Sequence, residues 1–175
     1  MAESLLAGKP FLPSTNDHDW LGSGIYFWET NPQRGLDWAR KLKERNRKIK
    51  KPDVVGAVID LGYCLDLLSS NGIEAVKQAH KNFIETAKKS KSEIPTNSLG
   101  SDLLLRKLDC SVINFLHESI EKAEMPPFDS VRGVFLEGNR IYEKSGFYER
   151  THIQLCVRNP KSIKGVFRVE RSELK

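Results

Sequence analysis

Leu21-Gly22-Ser23-Gly24-Ile25-Tyr26-Phe27-Trp28-Glu29 is a Gly-x-Gly turn that runs straight into residues of strong strand preference. Glycines two apart let the backbone bend sharply and come close to a neighbour, because neither carries a Cβ. Ile25 to Trp28 are β-branched or aromatic, which suits a pleated, half-buried surface. The local reading is a turn that offers backbone amides beside an aromatic wall; the plainer reading is a turn alone. The order, turn before strand, is wrong for a dinucleotide fingerprint, which follows a strand and opens a helix.

Upstream, Ala2 to Leu6 read as a short helix closed by Gly8, and Lys9 to Asp19 as loop. Downstream, Asn31 is placed to cap a helix with Pro32 in its first turn. That helix carries Leu36, Trp38, Ala39 and Leu42 on one stripe and stops at Pro52. Its far end, Arg40 to Lys51, holds eight basic residues against Glu44. The run is either a solvated helix face or a contact for phosphate or an acidic protein.

Val54 to Leu61 is a near-continuous apolar run and predicts a buried strand. Ser69-Ser70-Asn71 caps a helix over residues 72–89, with Ile73, Val76, Ala79, Phe83 and Ala87 facing inward. Ser90 to Asp102 is loop, and Leu103 to Ala123 is helical again, ended by Pro126-Pro127. The last third predicts strands over residues 130–136, 152–157 and 162–169, with a loop over 137–150. About five strands and four helices, with helices inserted between strands, predict an α+β fold in one domain over residues 1–175.

Composition narrows the class. Of the 175 residues 39% are hydrophobic and 29% charged, ordinary for a soluble globular chain. No apolar run reaches the ~20 residues a membrane helix needs, and no signal peptide opens the sequence. No membrane partner is expected, and cytoplasm is the expected compartment. Cys64, Cys110 and Cys156 are odd in number and widely spaced, which reads as reduced buried thiols. No His or Cys pair has metal-ligand spacing, and no Ser/His/Asp order frames a nucleophile. Net charge is +5.

Phe11-Leu12-Pro13 followed by Trp20 to Trp28, with its Gly-Ser-Gly-Ile-Tyr-Phe core, resembles the poly(ADP-ribose) polymerase-like ADP-ribosyltransferases. The helix over Arg34 to Ala39 and the strand Gln154-Leu155-Cys156-Val157 fall in that family's order, and Gly62 to Pro127 stands as a helical insertion. The resemblance implies a split β-sheet that grips NAD+ as substrate in a cleft. It implies that Tyr26 stacks on the nicotinamide ring and that Gly22, Ser23, Gly24 and Ile25 line nicotinamide and ribose, with Trp28 beside them. Gln154 stands in the catalytic glutamate's register, where a neutral amide favours transfer of single units; its alternative is a structural pairing residue. Glu143 and Glu149 are other carboxylates in reach of that strand. The family's first strand, with its His, would lie upstream of Met1.

The loop over residues 138–151 is the one that meets the acceptor in this family. Tyr142 and Phe147 would stack on a base, or fold back onto a small core, while Arg140, Lys144 and Arg150 would meet phosphate. The expected activity is mono-ADP-ribosyl transfer to a macromolecule, with nucleic acid, RNA included, ahead of protein. A toxin-type effector with an antitoxin protein, in toxin–antitoxin or anti-phage defence, is the implied setting. The alternatives are a catalytically weak NAD+ or ADP-ribose binding module, and a nucleic-acid binding domain using Arg40 to Lys51.

Overall fold

The computed structural model describes residues 2–100 and 103–174. Among the described residues four α-helices are interspersed with eight strands, so the fold is α+β with a mixed sheet. β1 (Ile25–Trp28), β7 (His152–Val157), β6 (Ser130–Phe135) and β3 (Cys64–Asp66) lie side by side in that order. β7 runs antiparallel to both β1 and β6, while β3 joins parallel to β6. A separate antiparallel ribbon pairs β2 (Val55–Ile59) with β8 (Ile163–Arg168), and a second, very short one pairs β4 (Asn97–Ser98) with β5 (Leu105–Arg106). The predicted strands at 54–61, 130–136, 152–157 and 162–169 are all present, within two residues at each end.

α1 (Ala2–Leu6) ends before Gly8, whose φ of +84° only glycine adopts without strain. α2 (Pro32–Arg45) starts as its sequence requires: the Asn31 side chain accepts from the Arg34 amide at 3.1 Å. It ends at Arg45, not at Pro52. Like charges three and four apart in the basic run oppose further helix, and Asn46 leaves into extended backbone.

α3 (Ser70–Ser90) is capped by Ser69, whose hydroxyl accepts from Gly72 N at 3.0 Å. Ala79 and Ala87 are buried and Phe83 meets Phe115 edge to face, but Ile73, expected inward, is 53% exposed. α4 (Lys107–Lys122) begins four residues later than its apolar period suggests. The intervening Leu105 and Arg106 pair with Ser98 and Asn97, inside the predicted loop. Asn97 then supplies the cap from across that ribbon: its Oδ1 accepts from the amides of Leu108 and Asp109 at 2.9 and 3.3 Å. The end of that loop, Ser101 and Asp102, lies outside the described residues.

The core joins the sheet to the helices through the turn itself. Leu21, Leu65, Ile113, Val131 and Cys156 form one cluster, each at most 2% exposed. Burying side chains of this size contributes about 1.5–3 kcal/mol each. Leu21 is thus a core residue contributed by the Gly-x-Gly segment. Among the described residues no helix is long and apolar enough to cross a membrane.

Candidate functional site

β1 and β7 bring together the two segments singled out from sequence. Tyr26 pairs with Cys156 and Trp28 with Gln154, so Tyr26 and Gln154 share one face of the sheet by strand alternation. The turn above that face is closed on itself. Gly22 N donates to Asp19 O, Ser23 N to the Asn114 side chain, and Gly24 N to Ser14 O, at 2.7–3.1 Å. The expectation of amides presented to a ligand is therefore corrected: α4 and the flanking loop use all three. The glycines answer to packing. A Cβ on Gly22 would stand 2.8 Å from Asn114 and Ile113, and one on Gly24 2.5 Å from the Cys156 sulfur. Ile25 is buried at the start of the strand.

Tyr26 is turned into the core against this cluster. Its hydroxyl donates to Gly22 O at 2.8 Å and accepts from Leu21 N at 3.0 Å, which locks the turn. Burial pushes the phenol well above its usual range. In this arrangement the ring braces the turn and is not laid open for stacking, as the resemblance implied. Cys156 beside it is buried and its thiol is pushed up to about 12 by desolvation.

Gln154 is covered by Trp20. The Trp20 indole N–H donates to Gln154 Oε1 at 2.7 Å, and its ring lies over Gly133, where a Cβ would come within 2.9 Å. The Arg106 guanidinium stacks over the Trp20 and Phe135 rings, 5.4 and 4.6 Å from their centroids. A pocket of ≈ 400 Å³ opens beside Trp20, with Arg106, Lys77, His80 and Asp109 among its lining residues. Gln154 therefore lies under an aromatic cover, with Arg106 on the Trp20 ring and itself paired with Asp109 at 3.3 Å.

The other face of the same strands is different. There a cavity of ≈ 1120 Å³ lies between the four-stranded sheet and the β2–β8 ribbon. Arg132 on β6 clamps Glu29 at 2.6 and 2.8 Å and reaches Asp66 at 3.3 Å. The guanidinium holds the Glu29 carboxyl below its usual range. Trp28, opposite Gln154 in the register but on the edge strand β1, also borders this cavity and tilts against Trp38 of α2, 6.4 Å between centroids.

The loop over residues 137–150 is anchored by Glu137, which is 8% exposed. Arg34 of α2 meets it at 2.5 Å, with Arg150 at 3.4 Å and Lys41 at 3.6 Å. Arg150 is therefore engaged at the root of the loop. Arg140 bonds Ser145 O and lies 5.1 Å over the Tyr148 ring. Tyr142 and Phe147 are 60% and 64% exposed, so they do not fold back onto a core. Glu149 accepts from Asn139 N at 3.1 Å, and Glu143 is exposed beside Lys144. Along the basic run, Lys43, Arg45, Arg47, Lys48, Lys50 and Lys51 are exposed.

The structure thus joins Tyr26, Trp28 and Gln154 and sets the loop residues apart from them. Trp20, Arg106, Arg132, Glu29 and Glu137 were not singled out. One signal was available: Arg132 interrupts an apolar strand, Val131-Arg132-Gly133-Val134, and an embedded charge needs a partner. Among the described residues no group of three or more His, Cys, Asp or Glu comes together as a metal site would require.

The chain is 30% identical over 180 residues to the uncharacterized protein MJ0359 of Methanocaldococcus jannaschii, spanning 93% of this chain and 79% of that one. No family model matches the chain, and no solved structure matches it.

Proposed function

The chain belongs to the family of the archaeal protein MJ0359, a name that assigns no chemistry, and we propose from the geometry that it is a mono-ADP-ribosyltransferase with NAD+ as substrate. One observation carries the reading. The Gly-Ile-Tyr-Phe strand and the Gln154 strand, more than a hundred residues apart in sequence, are immediate neighbours with Trp28 opposite Gln154. A two-part sheet, four strands beside a separate ribbon, supports the same split-sheet architecture.

Charge decides which face would take the dinucleotide. The diphosphate of NAD+ is an anion. Arg106 and Lys77 line the pocket beside Trp20 against one acid, Asp109, which pairs with Arg106 at 3.3 Å, whereas four acids face two arginines in the opposite cavity. The nicotinamide–ribose bond would break with its electron pair leaving on nicotinamide. Positive charge then grows on the ribose until an acceptor oxygen or nitrogen attacks the same carbon and loses its proton. An indole N–H is a donor only, so the Gln154 oxygen must face Trp20 and Nε2 is its remaining polar edge. Gln154 would thus hold a ribose oxygen as a donor, with less charge stabilisation than a carboxylate gives. Exposed Tyr142 and Phe147 and the basic run suit a nucleic-acid acceptor ahead of a protein one. The toxin-type setting and an antitoxin partner rest on the resemblance alone.

A second reading is a non-catalytic NAD+ binding module, favoured by the Trp20 cover on Gln154 and the closed turn. Incubation with labelled NAD+ and total cell RNA and protein separates them. Label transferred by the wild type and lost in Gln154→Ala supports the transferase. Saturable NAD+ binding without label or nicotinamide release supports the module. Neither binding nor turnover sinks both.

A further inference from the structure

We propose that the cavity between the four-stranded sheet and the β2–β8 ribbon is a binding site for a small organic cation, an ammonium or guanidinium group carried on an apolar body. This site faces away from Gln154, and its assignment stands whether or not NAD+ is the substrate.

Size comes first. At ≈ 1120 Å³ the cavity is slightly larger than the about 300–1,000 Å³ that ligand pockets usually occupy, room enough for a small molecule. Its walls are largely apolar. Phe11 and Phe27 meet edge to face at 5.3 Å, and Trp28 and Phe167 line it as well. Phe167 is 50% exposed, an aromatic ring on a strand with much of its surface uncovered.

The charge on those walls is opposite to that of the chain. The protein carries +5 overall, yet the cavity is lined by the carboxylates of Glu29, Asp53, Glu170 and Glu173 against the guanidinium groups of Arg132 and Arg168. That is a surplus of two negative charges. Both arginines already have acidic partners. Arg132 is shared between Glu29 and Asp66, and Arg168 is held by Glu3 at 2.9 and 3.0 Å. A phosphate or carboxylate ligand would therefore meet a wall of net negative charge whose two arginines are already paired.

Aromatic faces together with surplus carboxylate charge select for cations. Ring quadrupoles attract a cation over their faces, and the acids raise its local concentration at the mouth. An uncharged ligand of the same shape gains only the apolar contact. Discrimination between cation, neutral molecule and anion is accordingly the property to test.

The probes are benzyltrimethylammonium, benzyl alcohol and benzenesulfonate, titrated into the full chain and followed by amide NMR shifts and tryptophan fluorescence. Saturable binding by the cation, with shifts at Phe27, Gly56 and Phe167 and none at Trp20 or Gln154, is the expected result. Raising salt from about 50 to 500 mM should weaken it roughly threefold or more, since the rim acids are exposed to screening. The double variant Glu170→Gln/Glu173→Gln alters only exposed side chains, and should lose about threefold in cation affinity with an unchanged melting temperature. Phe167→Leu should weaken the cation and leave benzyl alcohol as it was. Equal binding of benzyl alcohol, preference for benzenesulfonate, shifts confined to other surfaces, or no binding by any probe would each overturn the assignment.

Discussion

The Trp20 indole donates to Gln154 Oε1 at 2.7 Å across 134 positions of sequence, and Gly133 leaves room for the ring that does it. The bond fixes the amide: oxygen toward the indole, Nε2 away. A glutamate at 154 can keep the bond with one oxygen and present the other, negatively charged, where Nε2 now stands. Gln154→Glu should therefore fold as the wild type does and raise nicotinamide release from NAD+ about tenfold, equivalent to ~1.4 kcal/mol of transition-state stabilisation. Trp20→Phe keeps the ring but frees the amide, and should cost about 1 kcal/mol of stability. If Gln154→Glu binds NAD+ as the wild type does but never turns it over, the amide's placement has no bearing on chemistry.

The turn's glycines make a sharper structural prediction. A Cβ at Gly24 would lie 2.5 Å from the Cys156 sulfur and 2.8 Å from the Val157 carbonyl, and backbone in a paired strand cannot move aside cheaply. Gly24→Ala should cost about 2–4 kcal/mol in a urea melt. Gly165→Ala, where nothing stands within 4 Å, should stay near the wild type. A Gly24→Ala protein as stable as the parent would mean that β1 and β7 are spaced differently.

Much of the fold was legible because local chemistry and tertiary structure agree. Asn31 caps α2 and Ser69 caps α3, and the apolar run at Val54 became β2. What stayed hidden depends on partners distant in sequence. β3 is three residues long and exists because β6 runs parallel to it. α4 starts late because Asn97, beyond the preceding loop, caps it. The pairing of the Tyr26 and Gln154 strands joins elements far apart in sequence, and Tyr26's role was hidden with it: its hydroxyl closes on Gly22 and Leu21, contacts that strand propensity cannot report. The Trp20 cover on Gln154 is of the same kind.

His117 sets a pH dependence. It is 4% exposed, and burial, with Arg158 nearby, lowers its pKa from 6.5 to about 3. The folded protein thus keeps the ring neutral while the unfolded chain takes up the proton below about 6.5. Stability is complete above that pH and declines as pH falls toward 3, approaching ~1.4 kcal/mol per pH unit from this residue. Urea melts at pH 7 and pH 5 should differ more for the wild type than for His117→Met. Parallel curves for the two proteins would show that the histidine is charged in the folded state.

Glu137 is the last residue whose removal distinguishes two accounts of the loop over 137–150. Its carboxylate, 10% exposed as a side chain, is the common partner of Arg34, Lys41 and Arg150. Arg34 is itself buried, and its Nε has no partner in the structure. Glu137→Gln leaves that guanidinium without its counter-charge, which should cost about 3 kcal/mol. Replacing both members, Glu137→Leu with Arg34→Met, removes the stranded charge and should recover most of the loss. Lys41 and Arg150 are far more exposed, so water can solvate them once the carboxylate is gone. Hydrogen exchange should show the exposed tip at Glu143 and Lys144 unprotected in all of these proteins, and the root at Arg150 opened only in Glu137→Gln. A double variant as unstable as the single one would assign the loss to the loop's packing and not to an uncompensated charge.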